Sequence, residues 1–562
     1  MTRTALRGGD RGWALGAGLI AVLVALPLLA LLWTAMQGSQ GLWSHMMAHV
    51  LPRASLNTVV LLLGVGVLVA ALGTGSAWLV TAYDFRGRGM LSWALLLPLA
   101  MPTYIIAYAY LDLLHPLGPV QSLIRALLGI DSPRDFRLPD IRSLAGCILL
   151  LGVVLYPYVY LTTRAMFLTQ AGGLLDAARS LGVPRRALLR RVALPLARPA
   201  IAIGVALALL ETLNDIGASE FLGVQTLTVS IYTTWVSRSD LPGAAQIALG
   251  MLAIVVLLIA LERYGRRRQR YAAGQRPRPM QPQMLRGGAA WFALGLGLVP
   301  VLFGFLLPAL YLGWASVERL QQHGLSRQLL DSAWNTVTVA AAATVVTLVA
   351  GVVVTWAWRL AQARRRTRMA GVCLRVAGLG YAVPGTVLAI GLLAPLAWFD
   401  IGAGEILKWF GAQPRMLLMG SATALVLAYV LRFLAISVGS ADAGLTRVSP
   451  SLDQAARSLG ESSGGVLRRV HLPLLRPALA AAALLVFVDA MKELSATLML
   501  RPVNFETLAT WLYADAARGA YEDGAVAALL IVLVGLLPVV LLARSGTQWQ
   551  APARPIIDEE TA

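Results

Sequence analysis

Residues 177–199 read AARSLGVPRRALLRRVALPLARP, and residues 455–477 read AARSLGESSGGVLRRVHLPLLRP. The two stretches match without a gap at an offset of 278 residues, about half the chain. The same offset pairs Asn57-Thr58 with Asn335-Thr336, and a period of half the chain predicts two copies of one structural unit. The repeated stretch is polar and basic and lies between long apolar runs. We therefore predict that it lies outside the membrane in both copies and offers two docking points to a symmetric partner.

The composition is that of a polytopic membrane protein. Of the 562 residues, 58% are hydrophobic and 13% are charged, and the mean hydropathy is +0.70. Soluble domains average about 25% charged residues, and apolar runs of about 20 residues fit a hydrocarbon core about 30 Å thick. The predicted fold class is an all-α polytopic membrane protein with about twelve transmembrane helices. The predicted spans are 13–35, 56–80, 91–114, 143–165, 200–222, 244–262, 290–313, 334–358, 370–397, 417–439, 478–500 and 525–543.

The net charge predicts the topology. The chain has 47 Lys and Arg against 28 Asp and Glu, a formal net charge of +19. If both termini are cytoplasmic, most of these cations fall on the cytoplasmic side, as the positive-inside rule requires. The arginine runs abut spans and have no interleaved aromatic residues, so we expect lipid and not nucleic acid beside them.

The repeat divides the chain into three parts. Residues 1–265 form the first repeat, 266–286 a cytoplasmic linker rich in Pro, Gln and Arg, and 287–562 the second repeat. Six spans separate equivalent positions, so the two copies have the same orientation. They are predicted to be parallel repeats related by an axis along the membrane normal.

The repeated loop is predicted to form two short helices joined by a turn. Gly182 ends the first helix in a backbone conformation that glycine tolerates best. The second helix places Leu188, Leu189 and Val192 on one face, as an apolar knob for docking. Pro195 is predicted to stop that helix before the next span begins.

This loop resembles the EAA loop of importer-type ABC permeases, the inner-membrane components of binding-protein-dependent transport systems. The family pattern is EAA, three residues, Gly, about nine residues, then an apolar residue and Pro. The leading Glu is replaced here by Asp176 in the first copy and by Gln454 in the second. The resemblance implies that the loops, at about 166–199 and 440–477, couple the chain to an ATPase. The implied coupling residues are Asp176, Ala177, Ala178, Gly182, Arg190, Pro195, Ala455, Ala456, Gly460, Arg468 and Pro473.

The chain has no motif for ATP hydrolysis of its own. A P-loop needs Lys after Gly, and the two lysines, Lys408 and Lys492, follow Leu and Met. We therefore expect a transport subunit that is not an enzyme, with no cofactor and no firm metal site in this chain. The resemblance places ATP and magnesium on a partner ATPase dimer at the cytoplasmic face. It also implies an extracytoplasmic substrate-binding protein and a location in the bacterial inner membrane.

Ionisable residues inside spans are expensive and are therefore candidates for function. Two clusters occupy equivalent positions and are predicted to place carboxylates four residues apart on one helix face. Carboxylate oxygens suit a hard cation such as ferric iron. The alternative is a structural role, in which Lys492 neutralises Asp489. The candidate pathway residues are Glu211, Asn214, Asp215, Asp489, Lys492 and Glu493.

Fused double-length permeases that resemble this chain most are ferric-iron importers. The resemblance lies in residues 100–114, 211–235 and 501–513. Thiamine, phosphonate and polyamine permeases of the same family are alternatives for the substrate. An ion-coupled secondary carrier is an alternative from another class, against which the parallel repeat and the paired loops argue.

Overall fold

The computed structural model describes residues 8–39, 41, 43–130, 132–170, 178, 180–267, 282–365, 367–519 and 524–547, and nearly all of its regular structure is helical. The α-helices of the first repeat are α1 (Gly8–Met36), α2 (Trp43–His45), α3 (Leu51–Ala82), α4 (Arg88–Ala94), α5 (Thr103–Leu113), α6 (Pro119–Leu128), α7 (Leu144–Gln170), α8 (Arg185–Leu188), α9 (Leu194–Asn214), α10 (Gly217–Phe221), α11 (Leu227–Val236) and α12 (Leu241–Arg267). Those of the second are α13 (Gly288–Val301), α14 (Leu307–His323), α15 (Arg327–Ala363), α16 (Thr367–Ala377), α17 (Gly385–Trp409), α18 (Ala422–Thr446), α19 (Pro450–Ser458), α20 (Ser463–Val466), α21 (Leu472–Met491), α22 (Ser495–Leu500), α23 (Leu508–Arg518) and α24 (Ala525–Thr547). The two strands are β1 (Tyr83–Asp84) and β2 (Gln283–Met284).

Ten helical stretches in the described part of the chain are long and apolar enough to cross a membrane. They are Arg11–Met36, Trp43–Ala82, Leu144–Thr169, Leu189–Asn214, Leu241–Tyr264, Gly288–His323, Arg327–Ala363, Gly385–Trp409, Ala422–Thr446 and Ser463–Met491. An eleventh candidate, Arg88–Ala100 with Thr103–Leu113, is bent by 91° at its break. The last apolar helix, Ala525–Leu541, is shorter than these. The all-α polytopic fold is therefore confirmed: in the described residues, ten continuous candidate spans, one bent candidate and one shorter apolar helix lie at the positions of the twelve predicted spans.

Prolines account for two of the breaks. Pro102 and Pro384 have extended backbones, with ψ of 145° in both, and each precedes the first residue of a helix. Short 3-10 segments, Leu97–Ala100 and Gly380–Ala382, lie just before them. The residue before a proline avoids the helical region, which is why α5 and α17 begin anew.

Other prolines do not break their helices, and the prediction that Pro195 stops a helix is wrong. Each of four prolines lies two residues after a π-helical turn. The turns are Met46–Val50, Leu189–Ala193, Leu302–Leu306 and Leu467–His471, before Pro52, Pro195, Pro308 and Pro473. A proline ring clashes with the carbonyl four residues earlier and supplies no N–H. The wider turn accommodates both defects, and the helix continues into the span.

Equivalent hydrogen bonds in the two halves support the repeat. The side-chain amide of Asn57 donates to the carbonyl of Gln225 over 3.0 Å, and that of Asn335 donates to the carbonyl of Glu506 over 3.0 Å. The threonine after each asparagine accepts from the first backbone N–H of α11 or α23. In each repeat, the helix that contains the Asn-Thr pair, α3 or α15, is therefore hydrogen-bonded to the start of a later helix, α11 or α23, in the same way.

The two repeats are intertwined. Helix α1 packs against α15, α16 and α17 of the second repeat. In return, the segment that joins α13 to α14 packs on the first repeat. There the hydroxyl of Tyr110 donates to the carbonyl of Phe303 over 2.7 Å, and Gly304 lies against Val153. The first span of each repeat thus packs against helices of the other repeat.

The end of the linker contacts the first repeat. Strand β2, in the predicted linker 266–286, pairs in parallel with β1 at the end of α3. Leu285 donates its N–H to the carbonyl of Asp84 over 2.7 Å. Residues 268–281 of the predicted linker lie outside the described residues.

Candidate functional site

The site is built on two equivalent helix breaks. Helix α9 ends at Asn214 and α10 begins at Gly217, while α21 ends at Met491 and α22 begins at Ser495. The prediction that each pair of carboxylates lies on one continuous helix face is therefore wrong. In each repeat the first carboxylate is the last-turn residue of a helix, and the second lies beyond the helix end.

The second carboxylate of each pair caps the short helix that follows. Asp215 Oδ2 accepts the N–H of Ser219 over 2.9 Å, and Glu493 Oε1 accepts the N–H of Ala496 over 3.1 Å. Asp215 Oδ1 also accepts from the hydroxyl of Thr103 over 2.6 Å. A carboxylate at this position satisfies otherwise unpaired N–H groups and offsets the helix dipole. These two residues therefore hold the breaks in place.

All six candidate pathway residues line one cavity of about 110 Å³ between the repeats. Two further lining residues are Thr103, the first residue of α5, and Tyr381, which precedes α17. The sequence predicted that the two clusters occupy equivalent positions, and the structure brings them together in one cavity wall. Tyr381 and Arg432, which also line the cavity, were not predicted.

The first carboxylate of each pair has few partners. Glu211 Oε1 accepts from the hydroxyl of Tyr381 over 2.9 Å. Asp489 forms an ion pair with Lys492 over 2.8 Å, as predicted for neutralisation at this spacing. Glu211 and Asp489 are therefore the carboxylates of the cavity that are not used as helix caps.

Arg432 joins the two breaks. It is 7% exposed, and its Nε lies 3.2 Å from Glu493 Oε2. Its Nη1 donates to Asn214 Oδ1 over 3.0 Å, and the same oxygen accepts the N–H of Gly385 over 2.8 Å. The backbone carbonyl of Asn214 accepts from Ser495 over 2.8 Å. Asn214 of the first repeat is thus held by three residues of the second.

The cavity combines charges of both signs. Four carboxylates line it with two cations, Arg432 and Lys492. Among the residues that the structure describes, no three His, Cys, Asp or Glu side chains converge closely enough to hold a metal ion. The cavity thus presents fixed charges of both signs, whereas the surrounding helices expose apolar side chains outward, such as Leu63 and Val67.

The repeated loops have similar turns. Gly182 and Gly460 have φ of +82° and +88°, the left-handed conformation predicted for a glycine that ends a helix. Asp176 and Ala177 lie outside the described residues. Of the other predicted coupling residues, Ala178 and Pro195 are half-buried, Ala456 is buried, and Arg190, Ala455, Arg468 and Pro473 are exposed.

The predicted apolar knob is wrong in part. Leu188 is 2% exposed and packs inward, and Leu189 and Val192 are only half-buried. Among the described residues of the two loops, the most exposed large apolar side chains are Leu181 and Leu459, at 85% and 86%, each directly before the turn glycine. Leu181 and Leu459 occupy equivalent positions in the two repeats. This equivalence is the sequence signal from which they could have been predicted as candidate docking residues.

The fold and this site define a class: a membrane transport subunit made of two parallel repeats around a charged central cavity. The chain belongs to the binding-protein-dependent transport system inner membrane component family, whose profile matches residues 63–271 and 359–552. That family consists of ABC transporter permeases, so the predicted resemblance is confirmed.

Known proteins of the family cover different shares of the chain. The Fe(3+)-transport system permease protein FbpB 2 of Haemophilus influenzae is 25% identical over 536 residues, which cover 94% of this chain and 97% of that protein. The molybdenum transport system permease protein ModB of Escherichia coli is 27% identical over 208 residues, 35% of this chain and 86% of that protein. Among solved structures, a chain of a bacterial alginate ABC transporter in complex with an alginate-bound periplasmic protein matches 46% of this chain and 93% of its own length, at 16% identity and a TM-score of 0.32.

Proposed function

We propose that this chain is the permease subunit of an ATP-driven importer for ferric iron, delivered by an extracytoplasmic binding protein. The central cavity carries the proposal, because residues from both helix breaks meet there. Four carboxylates against two cations favour a cation, and carboxylate oxygens are ligands that hard cations prefer. The similarity to an Fe(3+)-transport permease over 94% of the chain supports the same substrate.

Glu211 and Asp489 are proposed to offset the cost of moving a positive charge through the membrane centre. A charge in low dielectric needs nearby oxygens or water. Glu211 has one hydroxyl partner and Asp489 pairs with Lys492, so neither is committed to a helix break. Asp215 and Glu493 support the cavity as caps, and Asn214 and Arg432 hold the two repeats together.

Hydrolysis of ATP is proposed to take place on a separate ATPase dimer, which carries ATP and magnesium. Each repeated loop would offer one docking point, from Ala178, Gly182 and Arg190 in the first copy and from Ala455, Ala456, Gly460 and Arg468 in the second. The exposed leucines beside the turns, Leu181 and Leu459, suit insertion into an apolar cleft. Both termini are proposed to be cytoplasmic.

An oxyanion is a second candidate substrate. Arg432 and Lys492 line the cavity, and the molybdenum permease ModB is similar over part of the chain. Both cations are paired with carboxylates, however, and this pairing reduces their attraction for an anion.

Reconstitution tests the proposal. The chain is purified with the ATPase and binding protein that its host supplies, and the complex is placed in lipid vesicles. ATP hydrolysis and solute uptake are measured with the binding protein loaded with ferric iron or with molybdate. We expect stimulation and uptake with iron only. If only the molybdate-loaded binding protein stimulated ATP hydrolysis, the substrate would be an oxyanion and not ferric iron.

A further inference from the structure

The second coupling loop contains a buried charged cluster that links it to the membrane helices. Arg359, near the end of α15, donates from Nε to Asp453 Oδ2 over 2.9 Å. Its Nη2 lies 3.3 Å from Asp453 Oδ1. Asp453, in α19, also bonds through Oδ1 to His471 Nε2 over 2.6 Å. One carboxylate thus joins α15, the loop helix α19 and the start of the span that follows.

Arg359 also donates hydrogen bonds to backbone carbonyls at the end of α18. Its Nη1 donates to the carbonyl of Leu445 over 2.6 Å, and its Nη2 donates to the carbonyl of Val448 over 3.0 Å. Carbonyls at a helix end have no partner within the helix, so a guanidinium there satisfies them and favours the dipole. The planar fork of arginine fixes all of these partners in one geometry.

The cluster is shielded from water. The side chains of Arg359, Asp453 and His471 are 12%, 10% and 0% exposed. The His471 ring lies 4.9 Å from the ring of Trp356, within an apolar cluster that also includes Ala456 of the loop helix. In such surroundings charge-assisted hydrogen bonds are strong, and a single broken partner leaves a costly unpaired charge.

The three positions of the first repeat that are equivalent to this cluster carry no ionisable side chain. At the 278-residue offset, Thr81, Leu175 and Ala193 occupy the positions of Arg359, Asp453 and His471. The hydroxyl of Thr81 donates to the carbonyl of Ala77 in its own helix, over 2.7 Å. Leu and Ala have no polar side-chain atoms, so these three positions cannot form an ionic link.

We propose that Arg359, Asp453 and His471 fix the second coupling loop to α15, α18 and α21, so that the two ATPase docking points are mechanically unequal. This inference rests on the proposed docking of an ATPase at the repeated loops. A displacement of α19 is transmitted to these helices through the cluster, and α21 leads directly to Asp489 in the cavity. The residues at the equivalent positions of the first repeat, Thr81, Leu175 and Ala193, cannot form this ionic link. Arg359 and Asp453 are therefore positioning residues of the second loop.

The test compares Arg359→Met and Asp453→Asn with a matched control, Thr81→Met, in the complete reconstituted complex. We expect copurified ATPase to stay at the wild-type ratio in all three. Solute imported per ATP hydrolysed should fall about tenfold in the first two variants, the size of a typical coupling energy, and change less than about twofold in the control. Unchanged transport per ATP in both cluster variants would overturn the inference. Loss of ATPase from the wild-type complex itself would instead contradict the proposed function.

Two further measurements cover variants that fail to fold. The double variant Arg359→Met/Asp453→Leu leaves neither an unpaired arginine nor an unpaired carboxylate, so it should fold and still be uncoupled. Full coupling in this variant would overturn the inference. In the double variant, backbone amides of residues 450–459 should exchange with deuterium about tenfold faster than in the wild-type chain. Equal exchange of these amides in the two proteins would also overturn it.

Discussion

Asn214 of the first repeat accepts a hydrogen bond on its Oδ1 from Nη1 of Arg432 in the second repeat, over 3.0 Å. The two residues lie 218 positions apart in the chain and meet in the wall of the central cavity. Because Arg432 also pairs with Glu493, one buried guanidinium connects the ends of α9 and α21. Any movement that separates the repeats must break this connection.

Replacement of Arg432 should destabilise the protein strongly. Arg432→Met leaves the buried carboxylate of Glu493 without its cation, which costs about 3–5 kcal/mol in comparable cases. The double variant Arg432→Met/Glu493→Gln removes both charges and should recover most of that loss. Thermal unfolding in detergent measures both. If the single variant unfolded at the wild-type temperature, the ion pair of Arg432 and Glu493 would not contribute to stability.

The chain alone should show no ATP hydrolysis and should copurify with two ATPase subunits. The reason is that neither lysine follows a glycine, so no phosphate-binding loop exists in the sequence. Affinity purification with measurement of phosphate release checks both points. Vanadate-sensitive turnover by the isolated chain would contradict the assignment of hydrolysis to a partner.

The exposed leucines should be needed for docking. Leu181→Asp and Leu459→Asp place a charge where an apolar contact is expected, so each should reduce copurified ATPase. Their exposure of 85% and 86% means that folding of the chain should be unaffected. A matched control is Leu123→Asp, which is also exposed, at 62%, but lies outside the repeated loops. Equal ATPase recovery from all three variants would remove these leucines from the interface.

The turn glycine of the second loop should not tolerate a side chain. Gly460→Ala forces alanine into a left-handed conformation, at a cost of about 1–2 kcal/mol, and should weaken coupling without affecting the membrane helices. Gly464→Ala is the control, because Gly464 has open space around it and no positive φ. Gly182→Pro and Gly460→Pro should uncouple transport more severely, since proline fixes φ near −65°. Transport assays with all four variants decide the point, and normal uptake in both proline variants would refute the docking role.

Acid should weaken the anchor of the second loop. Burial raises the pKa of Asp453, but hydrogen bonds from Arg359 and His471 outweigh it and hold that pKa below its usual range. A carboxyl with a lowered pKa stabilises the fold fully above its unfolded pKa of about 3.9, and this contribution is lost as the pH falls through the folded value. Below about pH 5, the unfolding temperature should therefore fall more steeply for wild type than for Asp453→Asn. Parallel curves for the two proteins would contradict this.

The sequence predicted the repeat, the membrane fold and six of the residues that line the cavity, because span-embedded polar and charged residues at equivalent positions are rare. It did not predict that α9 and α21 end before the second carboxylate. A spacing of four residues is compatible with a continuous helix. Only the cap that Asp215 forms distinguishes a broken helix from a continuous one. Arg432 interrupts an apolar span and was therefore detectable as a candidate. Its pairing with Glu493 was not detectable, since 61 residues of chain separate them and only the packing of α18 brings them together.

The coupling loops were predicted in outline. The positive φ of Gly182 and Gly460 follows from the helix–turn–helix pattern. The anchor at Asp453 was not predicted, because its arginine comes from α15, 94 residues earlier. The apolar knob was placed on Leu188 because helical periodicity does not say which side of a short helix packs inward.

The most direct test of ferric-iron transport through the cavity is iron uptake by the reconstituted complex with Glu211→Gln/Asp489→Asn. At an effective dielectric constant of about 20, a carboxylate charge that lies about 8 Å from a passing ion lowers the ion's energy by about 2 kcal/mol per unit charge on the ion. Neutralising the two carboxylates should therefore reduce uptake at least tenfold. Asp489→Asn/Lys492→Met is the control, because it removes one charge of each sign and should reduce uptake much less. The ATPase should copurify with both variants. Wild-type iron uptake by Glu211→Gln/Asp489→Asn would contradict a cation pathway past these carboxylates.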